Sequence, residues 1–337
     1  MIAPKLLEVQ LTGGCNLKCN YCGNSEKYLN DSRASKDIIL KAINELQPEK
    51  ILFTGGEVYL EWELLIDLLE TLKEQDYQYI LSSNLTLISI KELDILIDKY
   101  GFNTFHSSFN DFDEHMSVEV RRNFPQGRKN LIENLRHLCN RGMDVKVETI
   151  LIQQTIEHLI DINRFLASIG VKKHKLEFFI PLGQAQEEIA VAYKYALDKI
   201  LQLYENRENH TCIIPCCMPI SPCIAEHKLF NIVSEDLDFN KCIDGVESCY
   251  LMSNGTLLPC FLYPDEMMQD KYKSYHEEWV HGKAFNGIRL KNKVCSGCKN
   301  SYYNTKALER KCSGGCAVYN YIINNCEYGI KPVIGIV

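Results

Sequence analysis

The run LLEVQL at 6–11, followed by CNLKCNYC at 15–22, decides how this chain is read. The first run is strand-like, and the second places Cys15, Cys19 and Cys22 within eight residues directly after it. Three thiolates on a four-iron cluster leave one iron without a protein ligand, and that open iron binds a small molecule through its own donor atoms. A zinc knuckle short of its fourth ligand would use the same residue types.

Outward from that stretch, strand-like runs recur at 50–54 (KILFT), 78–82 (QYILS), 104–109 (TFHSSF), 144–151 (DVKVETIL) and 175–180 (KLEFFI). Helical periodicity lies between them. Residues 36–46 put Ile38, Ile39, Ala42, Ile43 and Leu46 on one face behind an N-cap at Ser35. Similar patterns fill about 61–74, 89–99, 128–141, 156–169 and 187–206, the last with a stripe that reads as core packing. Strand followed by helix, six times over, predicts an α/β fold with a parallel sheet and right-handed crossovers. Periodicity alone leaves open whether the sheet closes.

The 337 residues suffice for one catalytic domain and a smaller second one. The net charge of -7, from 37 basic and 44 acidic residues with no basic stripe, argues against a nucleic-acid partner. The first residues lack a signal-peptide core, and no apolar run reaches the length of a bilayer span, so a cytoplasmic protein away from membranes is expected. Only five of the 16 cysteines precede residue 213. In a reducing compartment, cysteines clustered at short spacings bind metal more often than they form disulfides. Residues 207–227 hold Cys212, Cys216, Cys217 and Cys223 among Pro215, Pro219 and Pro222, which excludes a long helix and reads as a bridge. From about 236 the chain is turns, aromatics and cysteines, the make-up of a domain held together by its metals. The expected division is a first domain over 1–185, a helix and bridge over 186–235, and a cysteine-rich domain over 236–337.

The CxxxCxxC spacing of Cys15, Cys19 and Cys22, with Tyr21 before the last cysteine, resembles the signature of the radical SAM superfamily. Thr54-Gly55-Gly56-Glu57 after the second strand is similar to that family's GGE motif, with Val58 where proline is usual. Ser82-Ser83-Asn84 resembles its TNG strand end, and Ser107-Ser108-Phe109-Asn110 an S-x-D segment with Asn110 replacing aspartate. Pro181-Leu182-Gly183-Gln184-Ala185 resembles its last strand exit. The resemblance spans about residues 5–185 and implies a partial, TIM-like (β/α)6 barrel with the site at the carboxyl ends of the strands. It implies a [4Fe-4S] cluster on Cys15, Cys19 and Cys22. The cluster's open iron binds S-adenosylmethionine (SAM) and cleaves it to a 5′-deoxyadenosyl radical, which abstracts a substrate hydrogen. Tyr21 would pack near the adenine, Gly55, Gly56, Glu57 and Asn84 would line the SAM site, and Ser108 with Arg121 or Arg122 would face the SAM carboxylate.

The later cysteines run Cys242, Cys249, Gly255-(x4)-Cys260, Cys295-(x2)-Cys298, Cys312-(x3)-Cys316 and Cys326. Eight thiols satisfy two four-iron clusters, and two zinc sites equally well. The pattern resembles a SPASM domain, although Lys299 to Lys311 lengthen the usual gap between its two central pairs. That resemblance implies one auxiliary [4Fe-4S] cluster on Cys242, Cys249, Cys260 and Cys316 and another on Cys295, Cys298, Cys312 and Cys326. Cys249 is the ligand a bridge cysteine would replace. Cys139 shares a face with Leu131, Leu135 and Leu138 and reads as a core thiol. The bridge thiols Cys212, Cys216, Cys217 and Cys223 match no cluster spacing and are candidate hydrogen-atom donors to a substrate radical.

The resemblance implies an enzyme that modifies a ribosomally made peptide or a protein side chain, by crosslinking, epimerisation or oxidation, with electrons from a flavodoxin or ferredoxin. Sulfatase maturation fits less well, because those enzymes carry aspartate after the cysteine matching Cys260 and this chain has Phe261. Radical modification of a small molecule, such as a sugar, aminocyclitol or cofactor precursor, is the alternative. A non-catalytic iron–sulfur protein is disfavoured, since an electron carrier has no need of an open iron.

Overall fold

A computed structural model describes residues 3–23, 33–121, 125–180, 185, 187–207, 212–216, 243–263 and 272–289. Its frame is six strands, β1 (Leu6–Gln10), β2 (Lys50–Thr54), β3 (Gln78–Ser82), β4 (Thr104–Ser108), β5 (Asp144–Leu151) and β6 (Lys173–Phe178). Each pairs in parallel with the next. The crossovers carry α1 (Lys36–Leu46), α2 (Trp62–Leu72), α3 (Ile90–Tyr100), α4 (Glu114–Arg121), α5 (Pro125–Asn140), the single turn α6 (Gln153–Ile156) and α7 (Leu159–Ser168). The arrangement is an α/β fold with a partial TIM-like barrel.

Local signals explain the helix ends unevenly. Ser89 and Glu92 form a reciprocal capping box at the start of α3, and Gly101 closes that helix at φ 72°. Ser35 takes the N-cap position of α1, yet its side chain makes no capping bond. One periodic stretch hid a break: residues 187–189 form a 3-10 turn, and α8 begins only at Tyr193, ending at Asn206. Helix α4 escaped the sequence reading because it is short and buries Ser117 and Arg121 beside Met116 and Val120.

Three further strands extend the sheet. Strand β7 (Cys212–Cys216) pairs in parallel with β6, so part of the expected bridge belongs to the barrel. Pro215 is tolerated there because β7 has only β6 as a neighbour in the described sheet. On the far side β8 (Ser248–Leu251) lies parallel to β1, and β9 (Leu257–Leu258) turns back antiparallel to it. The sequence expected the cysteine-rich domain to begin before this point. Within that segment, residues 248–258 extend the described sheet and cover the hydrogen-bonding edge of β1. Helices α9 (Tyr275–His281) and α10 (Lys283–Arg289) follow, and α9 packs on α1.

Strict alternation sorts the strand residues. Leu7, Val9, Ile51, Phe53, Phe105, Val145 and Val147 join the helices in one large apolar layer. A second apolar group gathers Leu151, Leu176 and Phe178 under Ala196, Leu197, Ile200 and Leu203 of α8. The alternate positions of β5 and β6, Lys146, Glu148, Lys175 and Glu177, occupy the opposite face. Glu8 of β1 feels the charges of Glu148, Lys175 and Glu177, although β5 and β6 lie four and five strands away along the sheet. Such proximity requires the sheet to curl, so these side chains share the barrel interior.

Candidate active site

The loop after β1 carries the three cysteines to the carboxyl end of the sheet. Two contacts with the turn after β2 hold it there: Gly56 N–H donates to the Thr12 carbonyl and Glu57 N–H to the Gly14 carbonyl, both at 2.8 Å. The two chains are so close that a Cβ on Gly56 would lie 2.2 Å from the Gly14 oxygen, and one on Gly55 would lie 2.9 Å from the Thr12 oxygen. Glycine is required at 56 by that approach.

Glu57 fastens this turn to the end of β3. It is buried, and its Oε1 accepts from Ser83 Oγ at 2.7 Å and Tyr59 N–H at 3.0 Å, while Oε2 accepts from Asn84 N–H at 2.8 Å. Burial pushes its carboxyl pKa upward against the pull of these donors. Asn84 in turn reaches the cysteine loop, its Nδ2 donating to Asn16 Oδ1 at 2.9 Å and lying 3.9 Å from Cys15 Sγ. Two residues expected to face a ligand thus also brace the loop.

Cys15, Cys19 and Cys22 are in no disulfide, and each is partly exposed. Burial pushes the Cys15 thiol up to about 12, and the Leu17 N–H, 3.4 Å from its sulfur, opposes that rise. Among the described residues no three His, Cys, Asp or Glu side chains are gathered to hold a single metal ion. The donor set suits an iron–sulfur cluster: three thiols on one loop, with the Leu17 N–H 3.4 Å and the Asn84 Nδ2 3.9 Å from the Cys15 sulfur.

Under the loop, the buried Arg121 donates from Nη1 to the Ser108 carbonyl at 2.9 Å and to Asp111 Oδ1 at 3.3 Å. Its Nε and Nη2 have no partner among the described residues, although the residue is 0% exposed. Buried guanidinium donors without acceptors are costly, so a group not supplied by these residues is expected against them. Of the expected pair, Arg122 lies outside the described residues.

The barrel interior was not read from the sequence as a site, although every second residue of 144–148 and 173–177 is charged. Strands buried on both faces between helices are normally apolar throughout, so this alternation was the available signal. Lys175 Nζ bridges Glu148 Oε1 at 2.6 Å and Glu177 Oε1 at 3.2 Å. Burial, then Asp244, push the Glu8 carboxyl up to about 8, with Lys175 opposing.

The expected auxiliary ligands are only partly described. Cys249 sits on β8 in the apolar layer with Leu7, Leu251, Trp279 and Phe285, away from the barrel interior. Cys260 is buried past β9, and the adjacent Phe261 ring comes close to the cysteine loop, 3.9 Å from where a Cβ on Gly23 would stand. Cys242, Cys295, Cys298, Cys312, Cys316 and Cys326 lie outside the described residues, as do Cys217 and Cys223. Cys212 and Cys216 are the two ends of β7.

Residues 9–166 match the family model of the radical SAM superfamily. Cys15, Cys19, Cys22, Gly55, Gly56, Glu57, Asn84, Ser108 and Arg121 all fall within these residues. The Bacillus subtilis (strain 168) protein YfkA is 25% identical over 235 residues, 64% of this chain, and the match spans 62% of that relative's length. YydG of the same organism, named for peptide biosynthesis, is 26% identical over 262 residues, 74% of this chain and 79% of that one. The crystal structure of Streptococcus suis SuiB bound to the precursor peptide SuiA has a TM-score of 0.68 at 18% identity, covering 99% of this chain and 76% of that one. At such identity the likeness to SuiB is one of fold. Among the described residues no helix is long and apolar enough to cross a membrane.

Proposed function

We propose that this chain is a radical SAM enzyme acting on a ribosomally synthesised peptide or a protein side chain. The observation that carries the proposal is the junction at the barrel mouth, where the loop of Cys15, Cys19 and Cys22 is locked against the Gly55-Gly56-Glu57 turn. In this reading the three cysteines hold a [4Fe-4S] cluster and Arg121 offers its unpartnered Nε and Nη2 to the SAM carboxylate. Gly55 and Gly56 permit close approach to the ligand, while Glu57 and Asn84 fix the loop that presents it. A cluster held by Cys15, Cys19 and Cys22 would supply the electron for reductive cleavage of SAM, and with it the radical chemistry for removing a substrate hydrogen atom. The curled sheet gathers Glu148, Glu177, Lys175 and Glu8 on its inner face, which gives that interior polar groups to orient a substrate.

The peptide reading is supported by the name of YydG and by the precursor peptide bound to SuiB. The bond made or broken follows from neither. Auxiliary clusters on the later cysteines, and hydrogen-atom donation by a bridge thiol, are parts of the same proposal, with Cys249 left as a core thiol. The electron donor in this reading is a flavodoxin or ferredoxin.

The test is anaerobic reconstitution with SAM and a strong reductant, measuring 5′-deoxyadenosine against a Cys15/Cys19/Cys22 triple-alanine variant. Product from the wild type alone supports the radical reaction, and its stimulation by peptides encoded beside this chain supports the substrate class. Stimulation by small metabolites and not by any such peptide would transfer the substrate to the small-molecule class. A fully loaded wild type that never yields 5′-deoxyadenosine with any of these would count against the enzyme.

A further inference from the structure

Asp111, between β4 and α4, holds two guanidinium groups at once. Its Oδ1 accepts from Arg121 Nη1 at 3.3 Å and its Oδ2 from Arg128 Nε at 3.1 Å. The side chains of Asp111 and Arg121 are 0% exposed, and that of Arg128 only 16%. Arg128 reaches in from α5, where its Nη2 donates to the Phe112 carbonyl at 3.2 Å and its guanidinium lies 5.7 Å from the centre of the Phe109 ring. Arginine keeps its charge however deeply it is buried. In direct contact, two positive groups therefore face one negative one, and one positive charge is left over. That surplus has a direction. Arg128 commits Nε and Nη2 to Asp111 and Phe112, whereas Arg121 Nε and Nη2 have no acceptor among the described residues. A neutral polar group would satisfy those donors, but only an anion also balances the charge.

We propose that Arg128 is a positioning residue which, through Asp111, keeps Arg121 net positive towards a ligand carboxylate, and so makes the site select the amino-acid end of SAM. Arg121 and Asp111 alone would be a closed, neutral pair. A carboxylate brought to that pair is attracted by the guanidinium and repelled by Asp111, with little water to screen either. Arg128 on the far oxygen of Asp111 offsets the repulsion. The inference rests on the reading of Arg121 as the partner of the SAM carboxylate.

The experiment is calorimetric titration of the anaerobically reconstituted protein, with iron counted per chain. The ligands are SAM and 5′-methylthioadenosine, which keeps the adenosine and sulfur of SAM but has no carboxylate. Arg128→Gln is expected to bind SAM about tenfold more weakly than the wild type, and 5′-methylthioadenosine equally well. Arg128→Lys keeps the charge without the planar fork and should recover most of the loss. Arg128→Met, whose apolar stem still covers the Phe109 ring, should behave as the glutamine variant does, and it replaces that variant if glutamine prevents folding. Unchanged SAM affinity in Arg128→Gln overturns the inference. So does an equal loss for both ligands, which would mark a merely structural residue. A lysine variant as weak as the glutamine one overturns it too, because the bonds and not the charge would then be in control. A wild type that binds no SAM overturns the reading of Arg121 and the inference together, whereas any of the variant results above, with SAM bound by the wild type, overturns the inference alone.

Discussion

Gly56 stands against Gly14 with no room for a side chain, since a Cβ at 56 would lie 2.2 Å from the Gly14 oxygen and 2.6 Å from that of Gly13. Backbone cannot swing aside as a flexible side chain does. Gly56→Ala should therefore push the cysteine loop from its seat, destabilising the fold by the upper end of about 1–3 kcal/mol or beyond. Gly55→Ala, whose Cβ would meet the Thr12 oxygen at 2.9 Å, should be milder. Urea unfolding and iron per chain after reconstitution would check the order. Equal behaviour of the two variants would count against the close approach as the reason for glycine at 56.

Glu57→Gln removes one of the two acceptor oxygens that serve Ser83, Tyr59 and Asn84. The amide group that replaces it confronts at least one donor with another donor. A loss of about 1.5–3 kcal/mol in unfolding free energy is expected, together with weaker SAM binding through the displaced Asn84. Chemical denaturation and calorimetric titration with SAM would measure the two effects. Full stability in the variant would mean that this carboxylate does not tie β2 to β3.

Glu8 predicts a pH dependence of definite sign. Its pKa rises from 4.5 to about 8 in the folded chain, so across that window the native state holds a proton that the unfolded state has lost. Raising the pH then favours unfolding, with a contribution of up to about 1.4 kcal/mol per pH unit. The contribution is present below pH 4.5 and gone above about 8. Glu8→Gln should flatten stability over this range and exceed the wild type in relative terms at pH 8. Denaturation series at several pH values for both proteins would reveal it, and parallel curves would refute it.

Cys249 lies in the apolar layer beside Leu7 and Leu251, so Cys249→Ser should cost stability and spare the metal. Burying an unpartnered hydroxyl there is worth about 1–3 kcal/mol. Iron per chain should match the wild type. A loss of iron in this variant would return Cys249 to the ligands expected from the spacing of the later cysteines.

The six strands of the barrel were legible because each is followed by a helix of clear period. Where the rhythm lapsed, the structure went unseen. SCYL at 248–251 is too short to announce a strand, and only the open edge of β1 gives it a partner. Arg121 on α4 breaks the apolar stripe that would have marked the helix. Within the site, the cysteine triplet was legible because its ligands are close together in sequence. The bond between Asn110 and Tyr21 was not, because 89 residues separate them and only the curl of the sheet brings them together. Glu57 was recognised by its neighbours, but its grip on Ser83 and Asn84 depends on the register of β2 with β3.

The pairing of β8 with β1 has a consequence for the order in which the molecule is made. Leu6–Val9 are synthesised before β2 to β7, yet their second flank is filled by Ser248–Leu251, which come after all of those strands. Until then the strand that leads into the cysteine loop carries a bare edge, open to pairing with a second chain. The interval between the birth of β1 and the arrival of β8 is therefore when a nascent copy is most exposed to aggregation. Truncation before residue 248 should make that hazard permanent.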